Sequence, residues 1–153
     1  MKALGDARGL TLVELVVTVA IVTTLAAIGS PTYQNLTAAA KIARAKADIR
    51  IISGEIDVLN LASGRYPKTL AEVGRGTFLD PWDQPYQYLN IANDHPPRGQ
   101  MRKDRFLVPI NSDYDLYSMG PDGKSVSPLT AAGSRDDIIR ANNGGYIGLA
   151  AGY

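Results

Sequence analysis

Glu14 is the one charged side chain between Gly9 and Pro31, in the run GLTLVELVVTVAIVTTLAAIGSP. An ionised carboxylate in such a segment is costly unless it finds a partner. A plain anchor has no use for one. The chemistry of this chain therefore begins at Glu14. Few other residues could do work on a substrate. His95 is the sole histidine, beside Pro96 and Pro97, and there is no cysteine for it to activate. Nothing in the sequence ties a serine nucleophile to His95. Asp122, Asp136 and Asp137 lie within 16 residues of one another, a weak pattern on its own. The expectation is a chain that is not an enzyme.

Composition narrows the class further. Beyond the first nine residues, 14 basic side chains face 14 acidic ones, so there is no electrostatic case for nucleic acid or an anionic membrane surface. With no cysteine, neither a disulfide framework nor a thiolate metal site can form. A domain outside the cytoplasm would have to fasten its loops by other means.

The elements that must position Glu14 read clearly. Leu10 to Gly29 supplies twenty residues with no other charge, roughly 30 Å of helix, about one hydrocarbon core. The stretch is too long for a secretory signal core and no A-x-A-like site closes it. Lys2 and Arg8 before the span are balanced by Lys41, Arg44 and Lys46 after it, so charge counting leaves the orientation open. Pro31 removes the hydrogen bond to the carbonyl of Ala27 and, beside Gly29 and Ser30, predicts a kink or local melting. The helical pattern then resumes, with Ile42, Ile49, Ile52, Ile56 and Leu59 on one stripe. One helix from about Leu10 to Ala62 is expected, ended by Gly64 and Pro67.

Thr69-Leu70-Ala71-Glu72 fits a capping box opening a short helix that stops at Gly74. Tyr86, Tyr88 and Asn90 alternate as a strand after the turn chemistry of Asp80 to Pro85, and Tyr114 to Met119 alternates again before Gly120-Pro121-Asp122-Gly123. These two strands are expected to pair antiparallel on the helix. Arg98, Arg102, Lys103 and Arg105 read as a solvated loop, with contacts to acidic neighbours or a partner as the other reading. The Gly-rich tail after Ile138 reads as an extra strand; it lacks the lysine of a phosphate loop.

Gly9-Leu10-Thr11-Leu12-Val13-Glu14-Leu15 resembles the processing motif of type IV pilins and pseudopilins. Leu10 stands where phenylalanine is usual, and Pro31 falls where the family carries a proline. The resemblance extends to the major pseudopilins of type II secretion systems at Tyr66-Pro67, at Asp80-Pro81-Trp82 with Pro85-Tyr86-Gln87-Tyr88, and at Tyr114-Asp115-Leu116-Tyr117-Ser118 with Asp122-Gly123. The segment Asn93 to Ile110 and the tail from Ile138 to Tyr153 run longer than the family pattern.

The resemblance implies an α+β, pilin-like fold in which a long membrane-spanning helix packs on a small antiparallel sheet. It implies a leader over residues 1–9, a transmembrane half-helix over 10–30 and a periplasmic domain over 31–153. A prepilin peptidase would cut between Gly9 and Leu10 and methylate the new terminus. Glu14 would then lie four residues from the Leu10 ammonium on one helix face, or would meet that of a neighbouring subunit, as a register device for assembly. A snorkelling or protonated glutamate is the alternative. The family's calcium loop would fall on the side chains of Asp122, Asp136 and Asp137 and the carbonyls of Met119 and Pro121, an all-oxygen set. The implied role is a single-pass inner-membrane subunit of a secretion pseudopilus. Its partners would be identical subunits, minor pseudopilins and an inner-membrane assembly platform, with no nucleic acid. A type IV pilus subunit is the alternative.

Overall fold

The computed structural model describes residues 9–153, the side chains at 29, 31 and 32 excepted. One helix, α1 (Leu12–Ser63), precedes a short 3-10 turn (Leu70–Val73) and four strands. The strands are β1 (Gln87–Asn90), β2 (Tyr114–Ser118), β3 (Ile138–Ala141) and β4 (Tyr146–Leu149). They form an antiparallel meander in the order β1-β2-β3-β4, with Tyr88 opposite Leu116 and Ile139 opposite Gly148. The chain divides into two compact units, up to Ala39 and from Ala40 onward.

In the first unit every described side chain from Leu10 to Ala39 is exposed, a run that includes Val13, Val16, Val19, Ile21, Leu25 and Leu36. The helical assignment runs without a break through Gly29, Ser30 and Pro31, so the local melting expected there does not occur. The kink expected at Pro31 concerns a junction whose side chains lie outside the described residues. Gly64, with φ +71°, ends α1 in the left-handed conformation that glycine adopts without steric cost.

In the second unit the isoleucine stripe is core. Ala45, Ile49, Ile52 and Ile56 are fully buried against Leu70, Tyr86, Tyr114, Leu116 and Ile138. The motifs that carry the resemblance tie this layer together. Tyr86 donates to Asp48 Oδ2 at 3.0 Å, joining the sheet to α1, and Tyr88 donates to the Pro67 carbonyl at 2.8 Å. Buried Asp80 accepts the Trp82 and Gln84 amides at 2.9 Å each and the Ser118 hydroxyl at 2.5 Å, so it closes the turn before β1 onto the end of β2.

Residues at the alternate positions of the sheet, Tyr117, Ile139 and Ala141, form a second cluster with Ile110, Leu129, Ala150 and Tyr153. The long segment before β2 and the C-terminal tail thus cover the outer face. The tail supplies two strands rather than one. The expected capping box at Thr69 is not made: Thr69 makes no side-chain cap, and Glu72 accepts the Lys68 amide at 2.8 Å, one residue before the cap.

Ile52 and Ile51 are adjacent on α1, the first fully buried and the second 52% exposed. Ile52→Ala should destabilise the domain by about 2–5 kcal/mol through the cavity it leaves, whereas Ile51→Ala should stay within about 0.5 kcal/mol. Urea denaturation of both proteins in detergent checks the difference.

Candidate functional site

The junction expected to be processed sits on open backbone. Gly9, Leu10 and Thr11 precede the helix, and Gly9 and Leu10 are exposed. Among the described residues other than its chain neighbours, no heavy atom lies within 4 Å of where a Gly9 side chain would begin, so their packing does not require the glycine.

Thr11 and Glu14 form a complete capping box, which the sequence reading missed. The Thr11 hydroxyl accepts the Glu14 amide at 3.2 Å, while Glu14 Oε2 accepts the Thr11 amide at 2.9 Å and its hydroxyl at 2.8 Å. Two amides at the helix start that lack intrahelical partners are satisfied reciprocally. The signal was legible as Thr-x-x-Glu at the head of an apolar run. Glu14 also lies in the first turn, where the helix dipole favours negative charge. The carboxylate is held within one residue of the Leu10 nitrogen, which would become the terminal ammonium after cleavage.

The residues expected to hold calcium are not brought together as a cage. Pro121 and Asp122 are exposed, and Asp122 Oδ1 accepts the Lys124 amide at 2.8 Å. Gly120, with φ +67°, lets the turn press against the backbone of Asp136; a Cβ there would collide with the Asp136 carbonyl. Met119 and Asp136 are half-buried. Asp137 is fully buried and faces elsewhere: its Oδ2 pairs with Arg102 Nη2 and accepts the Ser125 hydroxyl at 2.6 Å. Burial pushes the Asp137 carboxyl up to about 6, against the pull of Ser125 and Arg102. Among the described residues, no three acidic or histidine side chains gather as for a metal ion. Of the carboxylate oxygens in this loop, Asp137 Oδ1 is buried without a partner, while its Oδ2 is already taken by Arg102 and Ser125. The donor set does not fit calcium.

Arg102 was expected in a solvated loop and is instead 3% exposed. A second guanidinium, Arg140, is equally buried on β3 and forks onto Asp113 at 2.6 and 2.9 Å. Nothing in the local sequence distinguishes Arg102 from the exposed Arg98 and Arg105 around it.

A capped apolar helix, exposed over its first half and core-forming over its second, joined to a four-stranded meander, defines a pilin-like membrane subunit. The model of the prokaryotic N-terminal methylation motif matches residues 5–30. Type II secretion system core protein G of Pseudomonas aeruginosa is 31% identical over 76% of this chain and 84% of its own length. The proteins of that name from Klebsiella pneumoniae and Escherichia coli K12 are 30% and 29% identical, over 86% and 90% of this chain and 91% and 93% of their own lengths. No solved structure matches the chain. The chain belongs to the core protein G family of type II secretion, the major pseudopilins.

Thr11→Val keeps the side-chain volume and removes both hydroxyl bonds of the cap. The first turn should lose about 0.5–2 kcal/mol of stability. Amide hydrogen exchange in detergent should quicken at Val13 to Leu15 and stay unchanged around Ile49 to Ile56.

Proposed function

We propose that this chain is the major structural subunit of a periplasmic pseudopilus that drives proteins across the outer membrane. The observation that carries the reading is the exposed apolar first half of α1 with its single carboxylate held at the head, in a chain of the core protein G family. In this reading a prepilin peptidase removes residues 1–9 and methylates Leu10. The apolar half-helix stores the subunit in the inner membrane with the domain in the periplasm. An assembly platform extracts it into a helical filament of identical subunits, topped by minor pseudopilins. The domain's part is to present its outer surface along that filament, and no step needs a catalytic group.

Glu14 has a defined task here. Leaving lipid for a filament keeps the first half of α1 in an apolar setting, where a carboxylate persists only if it is paired. The terminal ammonium of a neighbouring subunit supplies that pair and fixes the axial register. The Thr11 bonds hold the carboxylate satisfied until then.

Gly9→Val should leave the leader attached, seen by mass spectrometry as retention of residues 1–9. Since the described residues leave room for the side chain, the block would lie in the peptidase's own pocket. Normal cleavage of that variant would remove the junction from the account.

Deleting the gene should abolish release of the organism's secreted proteins, and the wild-type gene should restore it. Glu14→Leu should insert in the membrane and be processed, yet yield no filament and no secretion. Losing one partner of a buried pair typically costs about 3–5 kcal/mol. Normal secretion by Glu14→Leu cells would contradict the assigned role. Unimpaired secretion in the deletion strain, with surface filaments lost, would favour a type IV pilus.

A further inference from the structure

The second unit has no disulfide, and its donor set does not fit calcium, yet two long irregular segments run between its strands, residues 91–113 and 119–137. Segments of that length without regular structure stay ordered in a compact domain only when something ties them down. Arg102 is where the two meet. Its Nη1 donates to the Ser125 hydroxyl at 2.5 Å and the Val126 carbonyl at 2.7 Å, and its Nη2 donates to Asp137 Oδ2. The Arg102 amide donates to Asp115 Oδ2 at 2.7 Å, and the guanidinium lies 4.3 Å from the centre of the Tyr117 ring. Backbone bonds continue the seam: the Lys103 amide donates to the Ser127 carbonyl at 3.1 Å, and the Leu129 amide to the Lys103 carbonyl at 2.9 Å.

One buried positive charge thus gathers a hydroxyl, a carbonyl and a carboxylate from residues 125–137 and anchors residue 102 against β2. That is the task a bound cation performs in a loop, done by a side chain. A guanidinium suits it, being permanently charged, planar and able to donate in several directions at once. A divalent ion brought to Asp137 would face this fixed charge across a single carboxylate, in a setting where like charges repel strongly. Arg140 repeats the device one strand away. It is forked onto Asp113, donates to the Tyr114 carbonyl at 3.2 Å and lies 3.9 Å from the centre of the Tyr114 ring.

We propose that Arg102 is the resident cation of this loop system, so that the domain folds without calcium. The inference concerns the domain's own staple and holds whichever filament the subunit builds.

The test is made on the full chain in detergent micelles. Thermal unfolding followed by Trp82 fluorescence should coincide in millimolar calcium and in excess chelator, and titration with calcium should release no heat of binding. A bound ion would raise Tm with concentration, and such a rise, or a saturable binding heat, overturns the proposal. Arg102→Met keeps the apolar stem and removes the charge. It should melt well below wild type in both solutions, and Arg102→Lys, a point charge without the fork, should fall between. If Arg102→Met does not fold at all, that is the expected loss at its extreme, and the wild-type titration then decides. An Arg102→Met protein that melts like wild type overturns the proposal, since the loop would then be held by something else.

Discussion

The first half of α1 leaves its described apolar side chains exposed. They include Val13, Val16, Val19, Ile21, Leu25 and Leu36. Such a surface is not stable in water, because apolar area on this scale gains free energy only by leaving it. In the proposed reading it lies in lipid or against copies of itself, and a subunit that moves from membrane to filament exchanges one cover for the other. In that reading both covers satisfy Glu14: the Thr11 cap within the chain, and an ammonium group between chains.

The same helix changes character along its length. From Ala45 the apolar residues collect on one face and meet a sheet, and charged residues such as Arg44, Arg50 and Asp57 fall away from it. The division into an exposed apolar half and a half that forms a core lets one continuous helix serve, in the proposed reading, as both polymerisation element and scaffold. The domain then has to stand as a small, cysteine-free body on that scaffold. Its sheet is covered on one face by α1 and on the other by loops, so the loops are structural. Two buried guanidinium groups, at Arg102 and Arg140, fix them where small disulfide-bonded domains use cross-links.

Much of this was legible in the sequence because its physical cause is local. The isoleucine spacing gave the buried face of α1, Gly64 its end, and alternation the pairing of β1 with β2. Asp80 and Tyr86, read as part of a family motif, prove to be the hydrogen-bonding pins of the core. The misses have physical reasons too. Strand β3 is buried at all four positions, since both sheet faces are covered, so it carries no alternation to find. Arg102 lies among exposed basic residues and is distinguished only by partners 23 to 35 residues away. Asp137 is placed in a calcium loop by the family resemblance alone, since nothing near it in sequence shows that Arg102 pairs with it. Thr11 was overlooked because the apolar context drew attention to the span rather than to its cap.

The central claim is that the apolar half-helix packs between subunits with Glu14 serving as the interchain counterion. A high-resolution reconstruction of the purified filament tests it most directly. The account predicts the first halves of α1 bundled at the filament axis, with each Glu14 carboxylate within hydrogen-bonding reach of the Leu10 nitrogen of an adjacent subunit. A filament in which Glu14 remains bonded only to Thr11 of its own chain, or in which the domains rather than the helices make the contacts, would contradict it.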